Sequence, residues 1–276
     1  MKTIWTIAAQ DSAGISGISA DVRVIESFNC HACQITTAVT AQSIDYSVAL
    51  QKIDANIIAD QLNVLLKLHR PNAIKIGVLI DKTQVDVIVE FLEKNNLNIP
   101  IVFDPVLSAT SGLAFNTLNL NDLKPLLKFV TVFTPNTDEL NVLSNGNTQV
   151  ILDCAVTSLY LKGGHNDVSL DYYVDQLITK DQPSLYFHNL KQDKKIRATG
   201  CSLSSLLAIY LIEYPINDAL TMANASLQQS IKTSDYKING FNILKSFGKS
   251  LDLNDYPDVS YDILNTQNNA FELCSP

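Results

Sequence analysis

An α/β fold, with a central, mostly parallel sheet flanked by helices on both faces and a small antiparallel edge hairpin, is what this sequence predicts. Three observations point to it. Short apolar runs of strand length alternate with amphipathic stretches of helical length, the rhythm of βαβ units. Clusters of small and polar residues follow the strand-like runs, at the ends where open α/β sheets bind ligands. The chain of 276 residues is 46% apolar and 17% charged, with only ten glycines and nine prolines, so it can bury a sizeable core and has no linker composition.

Taken in order, the apolar run at 3–8 reads as a buried first strand, and an amphipathic helix follows over 18–28. Asn29 stands where a left-handed residue would end that helix. The β-branched run at 34–40 predicts a strand, and apolar residues at helical spacing over 54–68 predict a helix. Further strands are expected at 73–77, 99–103, 130–133 and 157–161, each beside a helix pattern. Runs at 170–174 and 184–188 predict the antiparallel edge hairpin. Helices follow at 202–212 and 216–231, and an Asn- and Asp-rich stretch from about 235 is expected to wrap the surface. Residues 1–276 are expected to form one domain, because no repeat or linker divides them.

The charge balance of −8 and the absence of a long basic stripe argue against nucleic-acid binding. An anionic ligand would have to be drawn by a few local cations and helix N-termini. The first apolar run is too short for a secretory segment, and no run approaches a membrane span, so a cytoplasmic protein is expected. Cys30 and Cys33 have C-x-x-C spacing, but no second pair exists and the only histidine nearby in sequence lies between them. They read as two small buried residues between a helix end and a strand.

Several motifs carry chemistry. Arg197-Ala198-Thr199-Gly200-Cys201-Ser202 is a small-residue turn feeding a helix. Its unpaired N–H groups suit the oxygens of a transferring phosphoryl group, unless the turn is only a cap. Cys201 in the first helical turn is expected to have a lowered thiol pKa and to accept a proton from a substrate hydroxyl. Asn136 and Glu139 have the spacing of a capping box, and equally the oxygens to hold a hydrated Mg²⁺. Asp104 and Lys162-Gly163-Gly164-His165 add a carboxylate and a cation at neighbouring strand ends.

In sequence order, these segments resemble the ribokinase-like small-molecule kinases. The chain is most similar to the hydroxymethylpyrimidine/phosphomethylpyrimidine kinases of thiamine biosynthesis, with the pyridoxal kinases close relatives. The resemblance runs from Ile4 to about Gln229. It rests on the segment from Ala8 to Asp21, Thr37-Ala38-Val39-Thr40-Ala41-Gln42, Lys75-Ile76-Gly77-Val78-Leu79, Asp104-Pro105-Val106, Thr134-Pro135-Asn136 with Glu139, Lys162-Gly163-Gly164-His165, and Thr199-Gly200-Cys201-Ser202.

The resemblance implies an ATP- and Mg²⁺-dependent kinase acting on a small molecule. Cys201 would be the base, and the Ala198–Cys201 amides the anion hole. Asn136, Glu139 and Asp104 would hold Mg²⁺ through water, and Lys162, Asn136, Thr199 and Arg197 would meet ATP. Asp21 and Gln42 would hydrogen-bond an aminopyrimidine ring walled by Gly77, Val78 and Val106. Relatives are commonly dimers, so a homodimer is expected. Ala9, Ile15 and Ala198 replace family glycines; Ala198 can still donate its N–H if its φ stays negative. A pyridoxal substrate, or binding without turnover, is the alternative.

Overall fold

The computed structural model describes residues 1–108, 115, 118–163 and 171–244 in full, and the backbone of 259–265 and 270–274. Gly112, Gly164 and His165 lie outside the described residues. The first half of the chain alternates β1 (Thr3–Asp11), α1 (Gly17–Ser27), β2 (His31–Gln42), β3 (Ser47–Lys52), α2 (Ala55–Leu68), β4 (Ala73–Ile76), α3 (Lys82–Asn95) and β5 (Ile101–Phe103). Next come α4 (Leu120–Leu127), β6 (Val132–Phe133), α5 (Thr137–Ser144), α6 (Thr148–Leu152) and β7 (Ser158–Leu161). Then follow β8 (Tyr172–Ile178), β9 (Leu185–Leu190), α7 (Thr199–Tyr210) and α8 (Ile216–Lys232). The chain ends with the short pair β10 (Lys237–Ile238) and β11 (Phe241–Asn242), then β12 (Val259–Asn265) and β13 (Ala270–Cys274).

One 11-stranded sheet runs β13-β12-β9-β8-β7-β6-β5-β4-β1-β2-β3. The strands from β2 through β1, β4, β5 and β6 to β7 are mutually parallel, and β3, β8, β9, β12 and β13 join antiparallel. The period-two pleat sorts side chains cleanly between the two faces. Trp5, Ile74, Ile101, Phe133 and Leu159 pack with α2 to α6, while Ile4, Ala73, Val102, Val132 and Tyr160 pack with α1, α7 and α8. The ladder turns back on itself at β1, whose two neighbours are β2 and β4, opening a crevice at their carboxyl ends.

Local chemistry sets the element ends. Asn29 is left-handed (φ 55), and Asn29 N–H to Glu26 O with Cys30 N–H to Ile25 O closes α1 in a Schellman turn. β1 runs three residues beyond the predicted 3–8, because pairing with β2 continues past a register shift at Ala8/Ala9 and carries polar Gln10 and Asp11 with it. β3 has no counterpart in the sequence reading. Its residues alternate only between half-buried and exposed, so they lack a core-facing stripe. The β8–β9 hairpin is antiparallel as expected but is not the sheet edge, because β12 pairs with β9 and β13 with β12. That also replaces the expectation that the C-terminal stretch merely wraps the surface.

Candidate active site

The parallel pleat brings one row of polar groups to one face, beneath α7. Lys75 follows Ala73 by two on β4, Asp104 follows Val102, and Lys162 follows Tyr160, so all three point to the α1/α7 side. Asp104 and Lys75 are fully buried, and Lys162 Nζ donates to Asp104 Oδ1 at 2.6 Å. The second oxygen, Asp104 Oδ2, is buried without a hydrogen-bond partner, which leaves a lone anionic atom aimed at the site. Gly200 faces this pair: a Cβ there would lie 3.4 Å from Lys162 Nζ and 3.6 Å from Asp104 Oδ2.

α7 starts at Thr199, with Ala198 as N-cap and no side-chain cap bond, so its opening N–H groups are left for a ligand. Ala198 has φ 64 and ψ 22, against the expected negative φ. The turn needs the left-handed conformation that glycine adopts freely, and the alanine pays the steric cost of its Cβ, about 1 kcal/mol. The N-terminus of α1 meets the same point, since the Gly17 amide lies close enough to the Cys201 sulfur to favour its thiolate. Gly17 has no alternative: a Cβ there would stand 2.3 Å from the Ala9 carbonyl oxygen.

The Cys201 thiol is pushed up to about 11, not down as expected. Burial is the main cause; the Lys75 ammonium pulls the other way, the Asp21 and Asp104 carboxylates add to the rise, and the Gly17 amide opposes it. Burial alone would lower Lys75, but Asp21, Cys201 and Asp104 together raise it, so it stays charged. In the ligand-free protein the thiol is therefore protonated.

Asn136 and Glu139 form the reciprocal capping box of α5. Glu139 N–H donates to Asn136 Oδ1 and Asn136 N–H to Glu139 Oε2, both at 2.8 Å. Glu139 is also 3.9 Å from Lys162 Nζ. Burial raises its carboxyl to about 7, Lys162 opposing and Asp104 assisting. Capping and ion binding are not exclusive, because each carboxamide or carboxylate oxygen has a second lone pair.

These groups open into a cavity of about 340 Å³, lined also by Thr199, Gln42, Gly77, Val78, Val106 and Arg197. Gln42 is steered by Ser16 and Ser47 hydroxyls, each 3.3 Å from its amide. Arg197 lies with its guanidinium 4.4 Å over the Phe241 ring, which fixes it at the cavity wall. Ile15, Ile44 and Ile243 close a small apolar roof with Ala13, Ala198 and Phe241.

Asp21 is the exception among the expected site residues. It is fully buried and does not line the cavity. Its carboxylate accepts from Lys75 Nζ at 2.8 and 3.0 Å, Thr6 Oγ1 at 2.5 Å and Ser205 Oγ at 2.9 Å. With its lone pairs engaged by the chain itself, Asp21 lies behind Lys75, which does line the cavity.

Sequence reasoning also passed over Lys75 and Asp11 as individual residues. Asp11 organises the loop before α1 by accepting from the N–H groups of Ala13, Ile15 and Ser16. The signal for Lys75 was available, as a charged residue inside an apolar strand needs a buried partner.

Fold and site together define a ribokinase-like small-molecule kinase: helix N-termini without side-chain caps, cations and carboxylates at the carboxyl ends of a parallel sheet. The family described as phosphomethylpyrimidine kinase matches residues 11–246, and the chain belongs to it. It is 28% identical over 254 residues to the hydroxymethylpyrimidine/phosphomethylpyrimidine kinase of Aquifex aeolicus, covering 87% of this chain and 98% of that one. The Escherichia coli protein of the same name is 28% identical over 222 residues, 74% of this chain and 80% of that one. The crystal structure of phosphomethylpyrimidine kinase from Clostridium difficile matches with a TM-score of 0.68 at 26% identity, covering 84% of this chain and 100% of that one. Pyridoxal kinase from Staphylococcus aureus, solved with pyridoxal, shares the fold, with a TM-score of 0.77 at 21% identity over 88% and 93% of the two chains.

Proposed function

We propose that this chain transfers the γ-phosphoryl group of ATP to the hydroxymethyl oxygen of 4-amino-5-hydroxymethyl-2-methylpyrimidine, to a phosphate oxygen of its monophosphate, or to both, in thiamine biosynthesis. The observation that carries the reading is the convergence of Cys201, Lys162 and the uncapped α7 N-terminus on one cavity. The acceptor oxygen attacks phosphorus in line and the bond to the ADP oxygen breaks; where the acceptor is the hydroxymethyl group, its proton passes to the Cys201 thiolate, the form that rising pH populates. Such transfer depends mainly on positioning and charge stabilisation. The Ala198–Cys201 amides receive the oxygens of the moving phosphoryl group, and Lys162 with Arg197 and Thr199 meets the nucleotide. Gln42 reads the ring edge, while Gly77, Val78 and Val106 wall the ring.

The orphaned Asp104 Oδ2 and the nearby Glu139 carboxyl suit a hard cation. Asn136, Glu139 and Asp104 would hold Mg²⁺ through water, and the ion would supply charge neutralisation on the phosphates. The chain acts as one domain and as a homodimer. Residues 1–244 share the two cores on either face of the sheet, which supports the single unit. A cytoplasmic setting suits the free thiols of Cys30, Cys33, Cys154 and Cys201. Among the described residues no helix is long and apolar enough to cross a membrane.

An ADP-release assay with hydroxymethylpyrimidine, its monophosphate and pyridoxal tests the reading. Turnover with either pyrimidine supports it, and turnover with pyridoxal alone replaces it with a pyridoxal kinase. Binding without ADP release would make the chain a non-catalytic member of the family.

A further inference from the structure

At the opposite end of the sheet from the kinase cavity, three side chains of metal-binding type meet. His31 and Cys33 lie two apart on β2, so the pleat turns both to the face covered by α2 and α3. His69 arrives from the C-cap of α2. One ligand atom from each of the three lies within 4.8 Å of the others. The backbone under them is anchored. His31 N–H donates to Lys2 O and His69 N–H to Leu65 O, both at 2.7 Å, and Trp5 Nε1 donates to His69 O at 2.7 Å. Trp5 is itself the register partner of Cys33. Glu26 adds a carboxylate 3.8 Å from His31 Nδ1.

We propose that His31, Cys33 and His69 form a zinc site, with water in the fourth position. One thiolate and two imidazoles are borderline-to-soft donors, which select Zn²⁺ over Mg²⁺ or Ca²⁺. Tetrahedral zinc at about 2.0–2.3 Å from its ligands brings them roughly 3.5 Å apart. The remaining distance is covered by rotation of the exposed His69 ring. Cys30 is not a ligand: it packs on the opposite face of the sheet with α1 and α8, so the C-x-x-C spacing does not chelate. The bound ion ties the end of α2 to the start of β2, and its effect is on stability, not on phosphoryl transfer.

The test is zinc retained per chain after incubation with zinc sulfate and gel filtration, with Co²⁺ as a spectroscopic probe. One equivalent of zinc is expected, and a tetrahedral Co²⁺ spectrum with a thiolate charge-transfer band. Cys33→Ser abolishes that band. His69→Gln, at an exposed position that leaves the fold intact, weakens affinity on the order of 100-fold or more, at or beyond the upper end of what loss of an outer-shell partner costs. Cys30→Ser leaves zinc content unchanged. The proposal is overturned if no zinc is retained, if Cys33→Ser and His69→Gln retain it as the wild type does, or if Cys201→Ala removes it, which would place the metal in the kinase cavity.

Discussion

A buried thiol surrounded by carboxylates behaves differently from a thiol at an isolated helix N-terminus. Cys201 has the helix end and Lys75 in its favour, yet burial with Asp21 and Asp104 holds its proton up to about 11. A base must be deprotonated to act, so raising its pKa moves the active form to higher pH. The expected result is a kcat/KM that rises with pH between about 7 and 9, and a flat profile would remove Cys201 as the base. Cys201→Ala is expected to lower kcat by about 10²–10⁴-fold with little change in KM, measured by ADP release.

Lys75 and Asp21 carry the second residue-scale consequence. Both are buried to within 1% exposure and satisfy each other. Lys75→Met leaves the Asp21 carboxylate unpaired in the core and should cost about 3–5 kcal/mol by urea denaturation, unless a second substitution, Asp21→Asn, relieves it.

At the scale of elements, helix ends and tight backbone contacts decide what the site can tolerate. Ala198 holds a left-handed conformation without glycine, so Ala198→Gly should stabilise the protein by about 1 kcal/mol, read from the denaturation midpoint. A decrease would mean that the Cβ packing against Ile15 and Ile243 outweighs the backbone strain. Asn136 caps α5, so Asn136→Ala should cost about 0.5–2 kcal/mol even without nucleotide. If stability is unchanged while activity falls, its role is confined to the ligand. The same element makes the two readings of Asn136 and Glu139 compatible: the capping box uses one lone pair of each oxygen and leaves another open.

For the molecule as a whole, the hairpin β8–β9 is covered by β12, which pairs Val259 with Asn189 through Ile263 with Leu185. Removing residues 245–276 uncovers the β9 edge, a row of free N–H and C=O groups that invites pairing with another chain. Self-association by light scattering is the expected result, with turnover per folded molecule retained because the residues that line and roof the cavity all precede 245. A truncated chain that stays as dispersed as the full chain would show that β12 does not protect this edge.

Much of this architecture was legible in the residues. Trp5, Ile74, Phe103 and Phe133 alternate with residues of the opposite face because a strand has period two, and that periodicity survives without knowledge of partners. The groups at 104, 136, 139, 162 and 197–201 were legible for a similar reason, since each follows a recognisable strand or opens a helix. β3 and the β9–β12 pairing were not, because weakly patterned strands are held by backbone bonds to distant segments. Sequence alone thus determined the alternating elements, the strand ends that carry chemistry and the family. Only the tertiary structure decided that Asp21 answers Lys75, that Cys201 keeps its proton, and that His69 reaches Cys33. Each of these depends on charge, burial or proximity between residues far apart in the chain, which local periodicity does not encode.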